Sequence, residues 1–182
     1  MKLIEGDKIY LRNITYKDTP LVVKWRNNER VRNNFIYREV FTEDIHNNWM
    51  KTKVETGEVV QLIICPKTDS NENESEGTLI ERPVGSVYLR DIDMNEKTAE
   101  YGIFIGEDDA TGKGFGNEAA ELMCRYAAKE LGLRKLILRV FKSNTAALKS
   151  YEHAGFVKTK DMPGVQCSDG AFGDMILMEK IL

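Results

Sequence analysis

Cysteine, histidine and proline are all sparse in this 182-residue sequence, with 3, 2 and 4 copies. The cysteines, Cys65, Cys124 and Cys167, are odd in number and far apart. They supply neither a disulfide framework nor a thiolate metal site, so a reducing, cytoplasmic setting is the simplest reading. His46 and His153 are too few for a histidine-built zinc centre, and no metal is expected. No run of 18 apolar residues occurs, so no membrane-spanning helix is expected. The opening Met1-Lys2-Leu3-Ile4-Glu5-Gly6-Asp7 lacks the apolar stretch of a signal peptide. Positive charge is not in excess either: 26 lysines and arginines against 29 acidic residues leave −3. That balance argues against a nucleic-acid partner held by bulk electrostatics. The chain is long enough for a single domain, 1–182, with one well-filled core. Its 14 glycines are an ordinary number, yet three stand within five residues, at 112, 114 and 116.

Alternation over Lys8–Arg12 reads as a strand. Asp18-Thr19-Pro20 opens a helix carrying Leu21, Val22 and Trp25. Thr42-Glu43-Asp44-Ile45 opens a second, with Ile45, Trp49 and Met50 as its expected inner face. Strands follow at Val59–Cys65, Val84–Leu89 and Thr98–Ile105, the last two divided by a polar turn over 91–96. The polar stretch 66–82 is expected to be a mobile hairpin loop. Glu118–Leu131 has the three- and four-residue spacing of an amphipathic helix, with Gly132 beyond it. Lys135–Phe141 is a strand, Asn144–His153 a short helix, and strands at Phe156-Val157 and Ile176–Leu182 close the chain. The order is β, two helices, three strands in a meander, helix, strand, helix, strand, strand.

The glycines of Thr111-Gly112-Lys113-Gly114-Phe115-Gly116-Asn117 lie between a strand and a helix. There the backbone can approach an anion and the unpaired helix N–H groups can meet its charge. A plain tight turn would use the same residues. Three phosphate-binding motifs fail on spacing. For a P-loop, Gly106 is one residue too early and Gly114 replaces the hydroxyl residue. A kinase loop needs glycine where Asn117 stands. A dinucleotide fingerprint needs an acidic residue near Arg139-Val140-Phe141-Lys142, and none is there.

These residues do resemble the GCN5-related N-acetyltransferase family, whose signature is Gln/Arg-x-x-Gly-x-Gly/Ala at a helix start. Thr111 to Gly116 matches both small positions and departs at the first, Thr111. A second block, Val140-Phe141-Lys142-Ser143-Asn144 through Tyr151 to Gly155-Phe156, is similar to the family's strand–helix–Gly-Phe segment. The resemblance implies an α/β (α+β) fold. Its twisted, mostly antiparallel mixed sheet has about seven strands and about four flanking helices, with the fourth and fifth strands splayed at a bulge. It also implies acetyl-CoA as cofactor, bound by Ile103, Phe104, Ile105, Thr111, Gly112, Lys113, Gly114, Phe115, Gly116, Asn117, Asn144, Ala147 and Tyr151. Leu11-Arg12, Trp25-Arg26-Asn27 and Phe41–His46 resemble the branch of ribosomal-protein serine, spermidine and amino-sugar-nucleotide acetyltransferases, and look most like the last.

Acetyl transfer to an amine requires a neutral amine, a polarised thioester carbonyl and a proton for the departing thiolate. In this family the amine attacks directly in a ternary complex, so no nucleophilic cysteine is needed. The resemblance gives the proton-donor role to Tyr151, whose reference pKa of about 10 keeps it protonated at neutral pH. Glu100 is one candidate base, or else a surface carboxylate on alternate residues. His46 is another, or else a polar residue on the outer face of its helix. Arg26 and Asn27 are candidate acceptor-pocket residues, and an arginine there would suit a phosphate-bearing substrate. The expected partner is a small-molecule or peptide amine, with no nucleic acid and no membrane. Alternatives are an N-terminal protein acetyltransferase and a non-catalytic acyl-CoA-binding module, and a homodimer stays open.

Overall fold

The computed structural model describes residues 3–67 and 81–182. The expected hairpin loop at 66–82 therefore falls, from 68 to 80, outside the described residues. The elements run β1 (Leu3–Glu5), β2 (Ile9–Asn13), α1 (Thr19–Asn27), α2 (Glu29–Arg32), α3 (Glu43–Trp49) and a π-helical turn at Met50–Val54. They continue with β3 (Val60–Pro66), β4 (Gly85–Asp93), β5 (Thr98–Ile105), α4 (Phe115–Lys129), β6 (Lys135–Phe141), α5 (Thr145–His153), β7 (Val157–Gln166) and β8 (Phe172–Ile181). All eight strands form one sheet in the order β1-β2-β3-β4-β5-β6-β8-β7. The extra strand is β1, whose three residues are too few to carry a period.

Every junction in the sheet is antiparallel except that between β5 and β6. That parallel ladder holds only at Thr98↔Lys135, Ala99↔Leu136 and Glu100↔Ile137, after which the two strands diverge. The expected splay thus lies between the fifth and sixth strands, because β1 shifts the count by one. The bulge is not on the splaying strand. It lies on β4, where Arg90–Asp93 faces Glu100–Thr98 and Asp91 takes φ 50°. From Glu100 to Ile105, β5 stays in register with β4. The bulge also carries β4 on to Asp93, into the stretch expected as a turn, leaving the turn to Met94–Lys97.

Each face of the sheet has its own core. Ala99 and Tyr101 of β5 join Leu136 and Leu138 of β6 against Ala119, Leu122, Met123 and Ala127 of α4. Phe104, on the alternate face, packs with Ile63, Cys65, Val22 and Trp25 beneath α1. α4 begins at Phe115, three residues before the amphipathic period becomes visible, because Gly114 makes the entry turn. α3 is rotated from expectation: His46 and Met50 face inward, four residues apart, and Ile45 is exposed. A hydrogen bond to Thr19 makes the burial of His46 tolerable.

Candidate active site

The glycine segment leaves β5 through a short helical turn at Asp108–Ala110 and enters α4. Gly112 and Gly114 take φ of 72° and 84°, a left-handed conformation that side chains resist. The Gly114 carbonyl accepts the Glu118 N–H at 3.2 Å, so the N–H groups of Phe115, Gly116 and Asn117 are the helix's open donors. A methyl group added at Gly112 or Gly116 would meet nothing within 4 Å, and at Gly114 only Lys8 Nζ, at 3.7 Å. This open, cation-bordered cradle fits a diphosphate. Thr111 donates its hydroxyl to the Asp108 carbonyl at 2.8 Å, closing the turn instead of reaching out as a longer side chain would.

The free edge of β5 continues the cradle. Gly106 donates to Val84 at 2.8 Å, toward the β4 side, so the N–H groups of Ile103 and Ile105 point the other way, into the splay. The Ile105 carbonyl accepts from Arg30 at 3.0 Å. Phe104 is not available there: its backbone faces Ser86 of β4, and its ring lies edge-on to Trp25 and Phe35.

Opposite, α5 starts at Asn144, whose side chain accepts the Ala147 N–H at 3.2 Å as an N-cap. Tyr151 follows two turns later, its ring set edge-on to Tyr101 and Phe156. Burial, and then the neighbouring Tyr88, push its phenol above the ordinary tyrosine range, so it holds its proton at neutral pH. Ser150 donates to Asn117 Oδ1 at 2.5 Å, joining the helix that carries Tyr151 to the glycine cradle.

On the α1 face the splay is bordered by charge. Glu100 Oε1 accepts from Arg90 at 2.8 Å and from Arg139 at 3.0 Å, and the carboxylate is only 15% exposed. Glu100 is therefore neither solvent-facing nor unpaired. The Tyr88 ring covers Gly102, where a methyl group would come within 2.2 Å of it, and its phenol feels Arg90, Arg26, Glu100 and Arg139. The Arg26 guanidinium stacks 3.4 Å from the Phe35 ring centre. Asn27 makes a two-way clamp on the Phe41 backbone, donating at 2.7 Å and accepting at 2.8 Å. It positions Phe41 beside Arg26, and one N–H and one oxygen lone pair of its amide remain beyond the clamp.

His46 stands apart from this group. It is 1% exposed, with Nδ1 2.9 Å from Thr19 Oγ1 and its ring edge-on to Phe41. Burial lowers its pKa to about 4, against a smaller opposing pull from Asp18. Because the Thr19 hydroxyl also reaches Asn47 Oδ1 at 3.0 Å, the consistent arrangement has Nδ1–H donating to Thr19 and Nε2 left as a bare lone pair.

Sequence reasoning missed Tyr88, Arg90, Arg139 and Ser150. A signal existed for Tyr88: Gly102 inside a strand marks the close approach of another group. The two arginines gave none, since their role depends on which strands become neighbours. No group of metal-ligating side chains occurs among the described residues, and none of the described helices is long and apolar enough to cross a membrane.

The profile of the acetyltransferase (GNAT) domain family matches residues 8–157. The chain belongs to this family. An acetyltransferase of the family uses acetyl-CoA, the ligand that the cradle fits. An uncharacterized protein of Methanocaldococcus jannaschii is 30% identical over 160 residues, 87% of this chain. The chain spans only 30% of that relative's length. The Drosophila melanogaster α/β-tubulin N-acetyltransferase 9 is 28% identical over 162 residues, 86% of this chain and 79% of that protein. Among solved structures, Vibrio cholerae spermidine N-acetyltransferase with CoA and spermine superposes with a TM-score of 0.82. At 19% identity over 97% of this chain and 96% of that one, it shows the fold alone.

Proposed function

We propose that this acetyltransferase moves the acetyl group of acetyl-CoA directly onto a small primary amine in a ternary complex. One observation supports the reading: the β5–β6 ladder ends at Glu100, the next residue, Tyr101, packs edge-on to the Tyr151 ring, and Ser150 ties the same helix to the glycine cradle. When bound there, acetyl-CoA supplies an activated acyl group. The open N–H groups of Phe115, Gly116 and Asn117, flanked by Lys113, hold its diphosphate. Asn144 and Ala147 border its pantetheine arm. A backbone N–H of Ile103 or Ile105 meets the carbonyl oxygen as negative charge develops on it. Tyr151 keeps its proton until a thiolate needs it. We assign the amine proton to Glu100, directly or through water: both arginines hold its Oε1, while Oε2 accepts only from Arg139, at 3.2 Å. His46, whose neighbours are Thr19 and Phe41, is left outside the proton path.

Amino-sugar nucleotides and polyamines are both primary-amine acceptors compatible with this chemistry. Tyr151→Phe should lower kcat by about 10²-fold while leaving acetyl-CoA affinity unchanged, the scale of losing a general acid. Thiol release measured under saturating acetyl-CoA checks this, and an unchanged rate would remove Tyr151 from its role. Thermal stabilisation by acetyl-CoA with no turnover on any amine would instead favour a binding module.

A further inference from the structure

The side of the opening that faces α1 is unevenly charged. Arg90 and Arg139 converge on Glu100, and Arg90 Nε also lies 3.6 Å from the exposed Asp91 carboxylate. Arg26 has no carboxylate within ion-pair distance among the described residues. Among the described residues its one hydrogen bond goes to the Tyr37 carbonyl at 3.3 Å, and its buried Nε has no partner there. Phe35 and Phe41 stack on the guanidinium, and its edge donors are directed at no carboxylate among the described residues. Burial, chiefly, and Arg90 secondarily lower its pKa to about 10, so it remains a cation at neutral pH, partly stripped of water. A desolvated guanidinium with open donors is a receptor that lacks its anion.

The adjoining space points the same way. Tyr37, whose carbonyl Arg26 holds, lines a cleft of about 510 Å³ together with Ile36, Gln166, Cys167, Ser168 and Gly170. No acidic side chain is among those residues. A polyamine, with several cationic nitrogens, would need carboxylates along such a wall. At the α1 side of the opening it would meet three guanidiniums, those of Arg26, Arg90 and Arg139, against the two carboxylates of Glu100 and Asp91. A planar fork suits a phosphate or a carboxylate.

We infer that the acceptor carries a phosphate or carboxylate in addition to its amine, and that Arg26 receives that group while the uncharged cleft takes the neutral remainder. The inference rests on the N-acetyltransferase reading and narrows it to anionic amines.

Calorimetric binding to the full chain saturated with CoA, which keeps the cradle filled, separates the two. The probes are phosphoethanolamine, β-alanine, ethanolamine and spermidine. Phosphoethanolamine or β-alanine should bind at least tenfold more tightly than ethanolamine, about the worth of a charged hydrogen bond, and which of the two does so identifies the anion. In Arg26→Gln that preference should fall toward one. Arg26→Lys, which keeps the charge but loses the fork and the stacking, should keep only part of it. Turnover of the same amines with acetyl-CoA should show the preference in KM rather than kcat. Tighter binding of spermidine than of either anionic amine, or an unchanged preference in a folded Arg26→Gln protein, would overturn the inference. Binding of the anionic amine with no acetylation of any amine would leave the receptor standing and remove the N-acetyltransferase reading.

Discussion

His46 should make this protein lose stability as pH falls through a defined window. Its imidazole is neutral in the fold with a pKa of about 4, against roughly 6.5 when the chain unfolds. Between those values the unfolded chain binds a proton that the native chain refuses, so stability rises with pH and levels off above about 6.5. Integrating the difference from pH 7.5 to pH 4.5 gives a loss of about 2.5 kcal/mol from this residue alone. Burial justifies using the full value, because the side chain is 1% exposed. Asp18, whose pairing with Arg12 holds its carboxyl below the usual range, adds a loss of the same sign at lower pH. The control is His46→Asn, whose amide nitrogen replaces Nδ1 toward Thr19 and cannot titrate in this range. Urea unfolding from pH 4.5 to 7.5 should give a steeper pH slope for the wild type than for the variant. The His46 imidazole resonances of the native protein, identified by their absence from the His46→Asn spectrum, should titrate near pH 4. A native midpoint near 6.5, or equal slopes in the two proteins, would refute the buried neutral imidazole. A midpoint near 6.5 would also restore His46 as a base tuned to neutrality.

Gly114→Ala forces a side chain to φ 84° and should destabilise the protein by about 1–2 kcal/mol. Acetyl-CoA affinity should fall by more than that strain explains, as ligand titration of the folded variant would show. Removing Asn117 and Ser150 singly and together should reveal a coupling of about 1 kcal/mol in a double-mutant cycle on stability. The same cycle run on kcat should also be non-additive, since this bond fixes α5 and Tyr151 relative to the cradle.

What was legible in the sequence was local. The glycine-rich turn before a helix, the helix period after Gly116 and the short helix from Asn144 are each set within a few residues, and each is found where the residues indicated. The splay was expected only through family resemblance, and its bulge was expected on the wrong strand. A register shift is decided by the pairing of two strands and leaves no mark on one of them. Glu100 shows the same limit. Alternation alone could not tell a solvent-facing carboxylate from one clamped by Arg90 and Arg139, which arrive from strands 10 and 39 residues away. The inner face of α3 was misread because polarity was taken for exposure. His46 is buried by a hydrogen bond to a residue 27 positions earlier.

The three-pair ladder between β5 and β6 makes the sheet two continuous blocks sharing a short seam. One block holds five strands and the other three, and beyond Glu100 the peptide groups of β5 that face away from β4 have no paired strand on the β6 side. On the placement proposed above, a thioester coenzyme lodged in that gap would act as a rivet as well as a reactant. Ligand at a hundred times its dissociation constant adds about 2.7 kcal/mol to native stability by mass action. Amide exchange on both sides of the seam should slow together when acetyl-CoA is present. The persistence of the folded enzyme thereby becomes coupled to the supply of acetyl groups.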